Sequence, residues 1–175
     1  MSRRIRREAI EHYRSRLQQA VSCVSVGVLS LGQPPQAQSV DVRSFQLNGG
    51  EKAPLSGSPL TIRLGQQFLV RQQVSSSSII VTAYNYTIEH PSEGEVVSFQ
   101  WHLGGETGID FPHVHIGPAM SRRDSAVRAG EAHKIHLPTG EVSLADVLRL
   151  AITELEVEPR RDDWEALLSH TSSER

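Results

Sequence analysis

The sequence predicts an α+β fold: a mostly antiparallel sheet, an amphipathic helix packed on one of its faces, and an additional N-terminal helix. Three observations point there. Between Leu60 and Leu103 the chain is dense in β-branched and aromatic residues, broken by turn residues. From Leu144 to Leu155 apolar residues recur at three- and four-residue steps, the period of a helix with one buried face. Ile5, Ala9, Tyr13, Leu17 and Val21 recur every four residues and predict a helix over about 3–21.

The elements follow in order. Residues 1–22 form the N-terminal basic helix. Residues 23–60, rich in Gly, Pro, Ser and Gln (GQPPQAQS, NGGEKAPLSGSP), read as a connector with one short strand over 40–47. Residues 61–170 form the histidine-rich α+β domain, and 171–175 a frayed tail. Within that domain TIRL and FLVRQQV (68–74) read as two strands parted by a Gly-Gln turn, followed by SIIVTAYNYTIEH (78–90). Pro91-Ser92-Glu93-Gly94 makes a hairpin loop into EVVSFQWHL (95–103). After a glycine-rich loop come two short strands, HVHI (113–116) and HKIHL (133–137), joined by a polar loop. Pro138-Thr139-Gly140 turns the chain toward Ser143-x-x-Asp146, a capping-box start with Asp in place of Glu. The stripe Leu144, Val147, Leu148, Ala151, Ile152, Leu155 then buries against the sheet. Pro159 stops that helix, and a second short one over 162–169 offers Trp164, Leu167 and Leu168 as further cover.

Composition narrows the function classes only slightly. At 175 residues the chain suits one domain, and its net charge of −2 argues neither for nor against nucleic acid. Residues 1–16 hold six arginines, a basic arm that reads either as an exposed helix or as a contact for an anionic partner. Cys23 is the single cysteine, so an internal disulfide and a thiolate-rich metal site are both excluded. The stretch AVSCVSVGVLSL after a basic start has some features of a signal peptide, with Ala37-Gln38-Ser39 beyond it. Its leader is long, contains acids and reads as an amphipathic helix, so a cytoplasmic protein is expected. No apolar run reaches the roughly 18 residues that a membrane span needs.

Side chains alternate across a strand, and this parity groups the histidines. In 95–103, Val97, Phe99, Trp101 and Leu103 share the core face, leaving Ser98, Gln100 and His102 opposite. In 113–116, Val114 and Ile116 point to the core, leaving His113 and His115. In 133–137, Ile135 and Leu137 go inward and His136 outward with Lys134. His102, His113, His115 and His136 therefore project together from the non-core face. Neighbouring strands lie about 4.8 Å apart and alternate residues about 6.5–7 Å apart, so imidazoles there reach metal-bridging or proton-relay distance. His133 falls on the core side, and His12, His90 and His170 lie on helix or turn surfaces.

Two chemistries suit such a cluster. In the first, His113 and His115 hold a divalent metal, zinc above all, with His102 or His136 as a third ligand and Glu106 or Asp110 as a carboxylate ligand or general base. In the second, metal-free, two imidazoles exchange protons with a phosphodiester, and Arg122, Arg123 and Arg128 hold its phosphate. Against both stands the plain reading that alternation alone puts any polar strand residue outward. Familiar signatures are incomplete. A His-φ-His-φ-His pattern needs a third histidine where Gly117 stands, and a cupin motif needs Glu where Ala119 and Met120 stand. Tyr84 and Tyr86 share a face with Ile80 and Ile88 and read as core rather than as a base-stacking platform.

The run from TAYNYTIEH through EVVSFQWHL to FPHVHIG, residues 68–116 with the preceding strand, resembles the small TumE-type toxin components of prokaryotic toxin–antitoxin pairs. Those share a Tyr-x-Tyr strand, a hairpin and a His-x-His-like segment. The resemblance implies a nucleic-acid-directed activity, a cognate antitoxin as partner, and functional roles for His113 and His115. The expectation that results is a small prokaryotic hydrolase or nuclease acting through His102, His113, His115 and His136. Its rival is a non-catalytic partner-binding or antitoxin-like module whose cluster is structural or metal-storing. An exposed sheet edge leaves a homodimer open.

Overall fold

The structure, a computed structural model, describes residues 2–32, 42–72, 77–102, 109–120 and 136–172. Its architecture is α+β. Helix α1 (Ser2–Ser22) leads into strands β1 (Leu29–Gly32), β2 (Val42–Leu47) and β3 (Ala53–Pro54). The long strands β4 (Thr61–Gln72), β5 (Ser77–His90) and β6 (Gly94–Trp101) follow, then β7 (His113–Ile116) and β8 (Leu137–Pro138). Helices α2 (Leu144–Glu154) and α3 (Trp164–Ser172) end the described chain. The sheet runs β1-β2-β4-β5-β6-β7-β8, with β3 lying beyond β2 along the same side of β4. Each pair of neighbours in it is antiparallel.

One face of this sheet builds the core. Ile62, Leu64 and Phe68 of β4, Tyr84, Tyr86 and Ile88 of β5, and Phe45 of β2 are all buried there. Phe45 and Phe68 stack at 4.7 Å with Tyr13 of α1 against both, and Tyr84 and Tyr86 stack at 4.8 Å. These tyrosines are core, as their apolar neighbours predict. Leu17, Ala20 and Val21 bring α1 into the same cluster, and Cys23 and Val24 continue it into the supposed connector. The basic helix is thus an integral layer of the core, with Arg4 and Arg7 exposed on its outer side. Leu144, Ala145, Val147, Leu148 and Ala151 bury the predicted stripe of α2, and Leu168 adds α3. Ser143 accepts from the Asp146 N–H at 3.1 Å while Asp146 accepts from the Ser143 N–H, so the capping box forms with Asp at its third position.

Several local expectations are corrected. Gly65-Gln66 makes no turn. Gly65 sits in a central strand, facing Gln46 on one side and Asn85 on the other, and two flanking ladders outweigh its turn preference. The irregularity falls instead on β5, where the register steps from Gln67↔Ala83 to Phe68↔Val81 and bulges Thr82. That bulge reverses parity. Ile79 and Val81, not Ile80, join Tyr84 and Tyr86 on the core face. Pro138 belongs to strand β8 rather than to a turn, which an edge position permits because no ladder N–H is demanded of it. Leu137, expected inside, is 45% exposed, since β8 lies at the sheet edge. Residues 40–41, 73–74, Leu103 and 133–135 of the expected strands lie outside the described residues.

Candidate metal centre

The histidine face is built by β5, β6, β7 and the residue before β8. Across β6 and β7, Gln100 stands opposite His113 and Ser98 opposite His115. Across β7 and β8, Val114 stands opposite Leu137, which sets the preceding His136 beside His115. Parity therefore brings His113, His115 and His136 to one face, with Val114 and Ile116 packed on the core side. One ligand nitrogen of each histidine lies within 4.8 Å of those of the other two. Ring centroids are 5.0 Å apart for His113 and His115, 5.1 Å for His113 and His136, and 4.4 Å for His115 and His136.

His113 is 3% exposed, and its Nδ1 lies 2.9 Å from the carbonyl oxygen of Phe111. A carbonyl only accepts, so Nδ1 carries the proton and Nε2 keeps its lone pair for another partner. A backbone carbonyl on the far nitrogen is the usual support of a metal-ligating histidine. Three nitrogens around one zinc ion stand about 3.3 Å apart, given bonds of about 2.0–2.1 Å in a tetrahedron. Closing the trio from its present spacing to that value requires movement of the half-buried His115 and His136 side chains. The residues fit a divalent transition metal.

His102 stands differently. It follows β6 on the same face, beside Ala83 and Asn85, but is not one of the three converging imidazoles. Of the two third ligands that alternation allows, His136 and not His102 converges with His113 and His115. Burial holds the His102 imidazole below its usual pKa, and protonation of the neighbouring His113 or His115 would push the same way, so its neutral form is favoured. Asp110 is exposed and also outside the trio; its backbone carbonyl accepts from Trp101 Nε1 at 3.1 Å. Glu106, Arg122, Arg123, Arg128 and His133 lie outside the described residues.

The incomplete His-φ-His-φ-His pattern now has a physical explanation. A Cβ on Gly117 would overlap the backbone carbonyl of Glu95, whose neighbour Val96 accepts the Gly117 N–H at 2.9 Å. Position 117 has no room for any side chain, and the third imidazole comes from His136, the residue before β8. Sequence reasoning could not see this close approach, because it depends on how β7 leaves the sheet.

The non-core face is partly closed. Ser98 is 0% exposed, and Thr87 is buried with it. Thr87 Oγ1 lies 2.8 Å from Ser98 Oγ and donates to Asn85 Oδ1 at 2.7 Å, while Gln100 Nε2 donates to Ser98 Oγ at 2.9 Å. A polar network thus lies directly alongside the histidines and ties β5 to β6, the strand that pairs with β7. No family model, curated protein or solved structure matches this chain. Among the described residues no helix is long and apolar enough to cross a membrane.

Proposed function

We propose that the protein is a small metal-dependent hydrolase, directed at phosphodiesters, with a divalent metal such as zinc held by His113, His115 and His136. The observation that carries this reading is the convergence of three imidazole nitrogens within 4.8 Å on one face of β7 and β8. Three histidines leave a fourth position for water, the pattern of catalytic rather than structural zinc sites. The metal would supply Lewis acidity and lower the pKa of a coordinated water. His102, neutral and near the trio, is suited to accept a proton from that water or to pass one to a leaving group. The phosphodiester as substrate rests on the sequence: Arg122, Arg123 and Arg128 as phosphate ligands, and the resemblance to TumE-type toxins around His113 and His115. A nucleic acid substrate, a cognate antitoxin partner and a prokaryotic cytoplasm go with that reading. Cys23, a buried free thiol, fits a reducing compartment.

One observation favours a second reading. His113 is buried, and His136 precedes a two-residue edge strand that has Pro138 in its ladder, so a metal there would also fasten β8 to β7. The metal would then be structural or stored, in a module that binds a partner without turnover.

Metal content of the untagged protein, beside a His113→Ala/His115→Ala variant, tests the centre. About one zinc, iron or nickel per chain in the wild type, absent from the variant, is the expected result. Equal metal in both, or none in either, would sink it. Hydrolysis of bis(p-nitrophenyl) phosphate and of RNA by the metal-loaded protein separates the readings: turnover lost in the variant favours the hydrolase, and a loaded but inert protein favours the structural metal.

A further inference from the structure

On the opposite face of the sheet lies a cavity of about 550 Å³, bounded by α1, the first half of β5 and the segment entering α2. Its walls are chiefly apolar: Leu17 of α1, Ile79 and Val81 of β5, the rings of Tyr84, Tyr86 and Trp101, and Leu144. That volume falls in the range of sites for drug-sized molecules, roughly 300–1,000 Å³, and greatly exceeds the occasional voids of a packed core. The bulge at Thr82 helps to make the cavity, because re-phasing β5 turns Ile79 and Val81 toward α1.

A second, independent feature stands in the wall. Gln66, 3% exposed in the middle of β4, donates from Nε2 to the Tyr13 hydroxyl at 2.6 Å, while its Oε1 is buried with no hydrogen-bond partner. A buried carboxamide oxygen without a donor is uncommon, because it forfeits the hydrogen bonds it made in water. Leu or Met would have filled this core position without that loss. The charged residues of the lining, Arg16 and Glu141, are of opposite sign, and Arg16 donates to the carbonyls of His170 and Thr171 at 2.8 and 3.2 Å. The missing component is a neutral donor.

We infer that this cavity binds a neutral, largely apolar small molecule carrying one hydroxyl or N–H, which donates to Gln66 Oε1 while aromatic and aliphatic side chains enclose the rest. The site is separate from the histidines, which lie across the sheet, and does not depend on the metal reading. N-phenyl-1-naphthylamine is a suitable probe: it is neutral and apolar, has one N–H, and fluoresces more strongly out of water. Titrated into the full chain, it is expected to bind saturably, one per chain, and to be displaced by 1-dodecanol more effectively than by dodecane. Ala9→Trp, which fills the cavity from α1, abolishes binding. Gln66→Leu weakens it by about three- to tenfold, the worth of one hydrogen bond. His113→Ala/His115→Ala leaves it unchanged. Fluorescence that does not saturate, or that survives Ala9→Trp in a variant with a wild-type melting curve, would overturn the inference. Equal displacement by dodecanol and dodecane in the wild type would overturn the role of Gln66 without recourse to any variant.

Discussion

The two faces of the sheet use the same alternation for opposite ends. On the core face, Phe45, Ile62, Leu64, Phe68, Tyr86 and Ile88 are buried against α1 and α2, and most of the free energy of folding must come from there. On the other face the same strands present Ser44, Gln67, Asn85, Thr87, Ser98, Gln100 and finally His113 and His115. Several of these are as well buried as the core, yet they are small and polar and bond to one another. Hydrophobic area therefore holds one face. A polar network and tight backbone approach hold the other, and on that face side chains remain available for chemistry.

The largest expected effect belongs to the core face. Phe68 stacks on Phe45 and meets Tyr13 edge-on, so Phe68→Ala opens a void in the contact between sheet and α1. Urea unfolding should show a loss of about 3–5 kcal/mol. A loss below about 1 kcal/mol would mean that α1 is not the integral layer described, and that the division of labour between the faces is wrong.

Gly117→Ala probes the other face through its backbone. The added methyl overlaps the Glu95 carbonyl, so β7 must move away from β6 at its end, and we expect about 1–3 kcal/mol of destabilisation. Because His115 is two residues away, zinc affinity should fall as well. Isothermal titration showing undiminished zinc binding in a destabilised Gly117→Ala protein would show that the site does not depend on this close approach.

How much of this was legible in the sequence follows from what alternation can and cannot carry. The placement of His113, His115 and His136 on one face was readable, because each lies in a short segment with apolar neighbours at the alternate positions. The choice among four histidines was not. Parity says which face a residue takes but not how far along a neighbouring strand it lands, and the register of β8 on β7 put His136 rather than His102 into the trio. Bulges were equally invisible: Thr82 carries no turn signature, yet it alone moves Ile80 off the core face. The helices were read well, α2 above all, since its stripe and its Ser143–Asp146 cap are both local signals. The role of α1 in the core was visible in its four-residue period but obscured by its arginines. The stretch 61–72 was split in two because the turn preference of glycine is local, while the two ladders that override it come from β2 and β5.

The smallest effect offers the sharpest test of the contrast. If the histidine face is built for chemistry, His136→Ala should cost the metal-free protein no more than about 1 kcal/mol, since the residue is half-buried next to a two-residue edge strand. Zinc changes the comparison. A ligand that binds only the folded state at a hundred times its Kd adds about 2.7 kcal/mol, so the wild-type melting temperature should rise by several degrees on adding zinc. In His136→Ala that rise should largely disappear, because two histidines form a much weaker site than three. A His102→Ala variant keeps all three ligands and should retain the full rise. If His102→Ala loses the zinc response and His136→Ala keeps it, the ligand set is His102, His113 and His115, and the third ligand comes from the end of β6 rather than from the residue before β8.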